Sequence, residues 1–89
     1  MNLEEAEALS ILLLQVAGQL DQSAAFVRDK DTKANWDEYR HAVGQAMASV
    51  FLELAEPLWV RHPSLRPEYL GGPYKVDPQI YQPLFYDPA

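Results

Sequence analysis

Positions Ala6, Leu9, Leu13, Val16, Leu20, Ser23 and Val27 recur at alternating steps of three and four, all apolar except Ser23. That spacing stacks them on one side of a 3.6-residue helix about 39 Å long. Asn2 followed by Glu5 forms a capping-box signal at the start, and Glu4, Glu5 and Glu7 sit at the positive end of the helix dipole, with Arg28 at the negative end. The polar run from Arg28 to Ala34 breaks the pattern. Asn35 and Glu38 offer a second capping box, so a second helix is expected to start near Trp36. Its stripe runs through Trp36, Tyr39, Val43, Ala46 or Met47, Val50, Leu54 and Leu58. A connection of roughly seven residues between two amphipathic helices favours an antiparallel hairpin.

All seven prolines follow Glu56. Helix interiors reject proline because it lacks the amide donor and its ring meets the carbonyl four residues back, so long helices should give way to irregular chain. Pro57 is expected to kink the second helix and Pro63 to stop it. The predicted organisation is one domain, with a helical hairpin over residues 1–63 and a proline- and aromatic-rich extension over 64–89. Two short helical turns are expected in the extension, one closed by Gly71 and Gly72 and one opened by Asp77 and Pro78.

Each helix is apolar on a second side as well. Opposite the hairpin stripe the first carries Ile11, Leu14, Gly18 and Ala25, and the second carries Gly44, Ala48, Leu52, Ala55 and Trp59. A two-helix hairpin buries only one of these faces, and so small a unit scarcely offsets its ordering entropy of about 1.5 kcal/mol per residue. Two covers are available. The extension spans up to about 90 Å when drawn out, enough to run back along the hairpin, where Tyr81, Phe85 and Tyr86 would make contact. A second copy would form a four-helix bundle through Ile11, Leu14, Gly18, Gly44, Ala48, Leu52 and Trp59. The expected fold is therefore all-α, a hairpin with a C-terminal extension that dimerises.

Charge and composition narrow the chemistry. Thirteen acidic residues against seven basic ones give a net charge of −6, which repels nucleic-acid backbones and anionic membranes and favours basic partners. The chain has no cysteine, hence no disulfide, thiolate nucleophile or cysteine-based zinc site. An acidic amino terminus unlike a secretory signal, and apolar runs far short of a membrane span, point to a cytoplasmic protein.

Glu38 and His41 form an E-x-x-H pair of the kind carried twice in di-iron bundles, and Asp21 of the first helix could supply a carboxylate nearby. With Trp36, Tyr39 and Val43 turned inward, His41 points away from the core, and a solvated helical turn is the simpler account. His62 beside Arg61 suits the negative end of a helix. Ser10, Ser23, Ser49 and Ser64 stand in no nucleophile motif, and Gly71-Gly72 is followed by Pro73, which removes a donor that a phosphate cradle would use. No cofactor is expected. The sequence favours a non-catalytic interaction module, homodimeric and acting on a protein partner. An immunity- or antitoxin-like inhibitor of a basic protein, or a metal-binding bundle on Glu38 and His41, are the alternatives.

Overall fold

The computed structural model describes residues 1–88; Ala89, the last residue of the predicted extension, lies outside the described residues. The described chain is mostly helical and contains no strand, so the all-α class forms as expected. The first helix, α1, spans Leu3–Lys30. At its start the Asn2 side chain accepts from the Glu5 amide and the Glu5 carboxylate accepts from the Asn2 amide, each at 2.8 Å, closing the predicted capping box. Twenty-eight residues at 1.5 Å each make a rod of about 42 Å. This sets the 45 Å long axis of the molecule.

The second helix, α2, spans Lys33–Ser49 and begins earlier than Trp36. Its cap is Thr32, whose hydroxyl accepts from the Asn35 amide at 3.2 Å, while the Asn35 side chain donates to Asp31 at 3.0 Å. The expected seven-residue connection shrinks to Asp31 and Thr32. Arg28, Lys30 and Lys33 are good helix formers, so a polar run rich in them extends a helix and does not end it. Past Ser49 the chain enters a π-helical stretch, Val50–Ala55, and then a short helix, α3, over Glu56–Arg61. Here the Glu56 amide donates to the carbonyl of Phe51, five residues back. In a regular α-helix the ring of Pro57 would collide with the Glu53 carbonyl; the widened turn ahead of the proline lets the chain stay helical to Arg61.

The most buried line of α1 is Ala6, Ser10, Leu14 and Ala17. The predicted inner stripe differs: Leu9, Leu13, Val16 and Leu20 are only half-buried. The reason is that α1 packs on more than α2. Ala55, Leu58, Trp59 and Leu65 join Ala6 and Leu14 in one core cluster, flanked by Leu9, Leu13 and Phe51. Trp59 donates its indole N–H to the Ser10 hydroxyl at 2.9 Å, so the buried serine is satisfied. Leu14 and Trp59, expected on outward faces as dimer contacts, are each 1% exposed and belong to this core. α2 contributes one buried residue, Val43, and its Tyr39 hydroxyl donates to Ser23 of α1 at 3.0 Å.

Beyond α3 the chain reverses through 3₁₀ turns at Pro63–Leu65 and Glu68–Leu70. Gly71 closes the second turn at φ +86°, a left-handed conformation that favours glycine, and at Gly72 a Cβ would run into the Arg66 backbone. Backbone bonds from Tyr74 to Arg66 and from Glu68 to Tyr74, both 3.0 Å, tie the reversal. Arg66 forks onto Glu56 through two bonds of 2.9 and 2.6 Å and lies over the Trp59 ring. This guanidinium holds the Glu56 carboxyl below its ordinary range.

From Tyr74 onward the extension follows α1 in the same chain order. The Tyr74 hydroxyl donates to Glu7 at 2.7 Å, and Gln15 donates to the Ile80 carbonyl at 2.8 Å. The Gln22 side chain accepts from the amides of Phe85 and Tyr86, at 2.7 and 3.1 Å. Finally the Tyr86 hydroxyl donates to Asp29 at 2.7 Å; the hydrogen-bonded Arg28 guanidinium, and after it this phenol, keep that carboxyl below its usual range. Glu7, Gln15, Gln22 and Asp29 are spaced by seven or eight, about two helical turns, so one polar row of α1 makes these hydrogen bonds to the strap. Asp77 caps the last 3₁₀ turn, Pro78–Tyr81, by accepting from the Gln79 amide at 2.9 Å.

An apolar groove as candidate functional site

Between α1 and the returning strap lies a groove of about 580 Å³. Leu14, Ala17 and Gly18 of α1 form its floor, Met47 and Phe51 one wall, and Tyr69, Tyr81 and Leu84 the other. The helical phase explains the first wall: Met47 and Phe51 stand four residues apart, one turn along the same side. Tyr81 is positioned by the Asp77-capped turn and lies against Gly18, where an added Cβ would stand 2.9 Å from its ring. Burial pushes the Tyr81 phenol up from its ordinary value. The polar lining is Asp21, Gln22 and Gln82, and Asp21 is the one charged residue of the wall.

The groove continues into a smaller depression of about 280 Å³ lined by Leu52, Trp59 and Leu70, with Phe51 and Tyr69 shared between the two. The charged pair at that end, Glu56 and Arg66, is neutralised internally. Tyr69 and Leu52 are 62% and 69% exposed, so the track is open to solvent along its length.

The structure separates the residues predicted to meet a second copy. Leu14 and Trp59 are core, Ile11 is half-buried, and Gly18 lies under Tyr81. Gly44 and Ala48 of α2 and Leu52 of the π-helical stretch that follows stay exposed at steps of four. The three extension residues all touch α1: Tyr81 on Gly18, and the rings of Phe85 and Tyr86 each 5.3 Å from that of Phe26. The metal candidates are not brought together. Glu38 and His41 are exposed, with His41 lining a depression of about 640 Å³ beside Asp37, Arg40 and Gly44, whereas Asp21 lines the groove. Among the described residues no group of three histidine, aspartate or glutamate side chains could hold a metal ion. His62 is half-buried at the end of α3.

Met47, Phe51 and Tyr69 carried no functional signal in the sequence, because the groove draws on four segments that only the folded chain brings together. No family model, curated protein or solved structure matches the chain. No helix among the described residues is long and apolar enough to cross a membrane.

Proposed function

We propose that this chain is a non-catalytic protein-interaction module. In this reading the helices form an antiparallel hairpin that pairs with a second copy into a four-helix bundle. The observation that carries it is the outer side of α2 and of the π-helical stretch that continues it, where Gly44, Ala48 and Leu52 are all exposed and Leu52 is 69% exposed. Small residues at steps of four let two helix backbones approach closely, and an isologous two-fold contact would place the same surface of each copy against the other. Part of the corresponding surface of α1, at Gly18, is covered by Tyr81 of its own strap, which leaves the α2 side for the second copy.

Size-exclusion chromatography with light scattering at micromolar concentration should give about 20 kDa, twice the 10.1 kDa of one chain. Ala48→Glu, which sets a charge in the middle of that contact, should return the protein to about 10 kDa without unfolding it, because Ala48 is exposed. A single 10 kDa species for the unsubstituted protein would remove the dimer.

A further inference from the structure

The groove between α1 and the strap adjoins the surface assigned to the second copy, meeting it at Leu52 in the smaller depression, but its chemistry specifies a different occupant. We propose that it docks a basic amphipathic helix of a partner protein, with successive apolar side chains along the track and a Lys or Arg opposite Asp21. This names the partner class for the interaction-module reading and rests on that reading.

Asp21 decides the charge of the occupant. Among the described residues no ion pair or hydrogen bond neutralises it. Two cations, Arg28 and Arg40, line a second depression with it and are committed elsewhere. Arg28 pairs with Asp29 at 2.9 Å, and Arg40 pairs with Asp37 at 3.2 Å and lies over the Trp36 ring. The apolar track therefore carries one uncompensated negative charge, on a chain whose net charge is −6. A cation opposite Asp21 would complement it, and the acidic field would speed the approach of a basic partner.

Shape decides the rest. The main groove falls within the 300–1,000 Å³ range of ligand sites, yet it is open and runs on past Phe51 and Tyr69 into the second depression. An elongated track with two apolar stations suits a segment that presents anchors one or two turns apart, as helices seated in grooves do. A compact ligand would leave the second station empty.

The probe is a 14-residue helical peptide of leucine and lysine with one apolar face, titrated into ¹⁵N-labelled protein and followed by amide shifts. The controls are a leucine–glutamate peptide of the same pattern and an oligolysine of equal charge. Saturable shifts are expected at Ala17, Gly18, Asp21, Phe51 and Tyr81, with affinity that weakens as salt rises. Asp21→Asn should weaken binding roughly five-fold, the scale of one exposed charge pair, and Leu84→Ser should weaken it by a similar factor. Both positions are exposed, so both variants should stay folded.

Repeating the titration on Ala48→Glu separates the two proposals: groove shifts on a monomeric variant support docking whatever the fate of the dimer. Equal shifts from oligolysine, equal affinity for the leucine–glutamate peptide, or shifts confined to Glu4, Glu5 and Glu7 would each overturn the proposal. So would a groove blocked in the unsubstituted protein and freed by Ala48→Glu, since the occupant would then be a second copy.

Discussion

α1 and α2 each carry a glycine among small and apolar residues, and the two glycines meet opposite fates. A Cβ on Gly18 would stand 2.9 Å from the Tyr81 ring, whereas one on Gly44 would find nothing within 4 Å. The same asymmetry holds for burial. α1 buries Ala6, Ser10, Leu14 and Ala17, and α2 buries Val43 alone. A stripe of small and apolar residues thus says that a surface can be covered, without saying by what. On α1 the answer lies in polar residues: Glu7, Gln15, Gln22 and Asp29 recur every two turns, and each holds a group of the strap.

The strongest way to break this contrast is to remove the residue that holds the core beside α1. Trp59→Ala should cost about 3–5 kcal/mol in urea unfolding, the range for truncating a buried aromatic side chain, and it also leaves the Ser10 hydroxyl without its partner. Leu52→Ala, at 69% exposure, should cost less than about 0.5 kcal/mol when measured in the Ala48→Glu background. Similar costs at the two sites would mean that the two sides are covered alike.

The local signals were legible in the sequence and the long-range ones were not. Asn2 and Glu5 act within one turn, so the start of α1 could be read directly, as could the 3₁₀ turns at Gly71 and Asp77. The start of α2 was misplaced because Thr32 and Asn35 both offer cap chemistry. Their choice depends on α1 running to Lys30, which a polar run of good helix formers permits. The inner side of α1 was misassigned for a different reason. Three neighbours compete for that helix, and nothing local says that Trp59 reaches Ser10 across 49 positions. The groove was hidden by the same cause, since Phe51 and Tyr81 meet only through the path of the strap. The sequence marks Asp21 only as a possible metal ligand; its unneutralised charge appears only in the fold, where Arg28 and Arg40 pair elsewhere.

The glycines themselves sharpen the comparison at a smaller scale. In the Ala48→Glu background, which takes the second copy out of the measurement, Gly44→Ala should stabilise by about 0.5–1 kcal/mol. Alanine is the better helix former by that amount, and the added methyl meets nothing. Gly18→Ala carries the same propensity gain but must displace the Tyr81 ring, so its net effect should fall clearly below that of Gly44→Ala and be destabilising if the strap cannot yield. Equal gains at both positions in urea melts would show that Tyr81 does not rest on Gly18.

A pH-dependent effect tests the hold of the strap at the other end of α1. The neutral Tyr74 phenol donates to the Glu7 carboxylate, and ionising it would set two negative charges side by side. This hydrogen bond, with burial and the Glu7 charge adding to it, pushes the Tyr74 phenol up to about 12 from the ordinary value near 10. A group whose folded-state value is raised contributes stability that is complete below its unfolded value. That contribution is lost as the pH climbs through the folded one. The Tyr74–Glu7 contribution should therefore be intact up to about pH 10 and disappear between about pH 10 and 12. Tyr74→Phe should be less stable than the unsubstituted protein at neutral pH and should lose less on going to about pH 12. The difference in tyrosinate absorbance between the two proteins should place this phenol's titration above 10. If the two proteins lose stability in parallel across the alkaline range, the strap does not hold α1 at Glu7 in solution, and the cover of α1 begins only at Gln15.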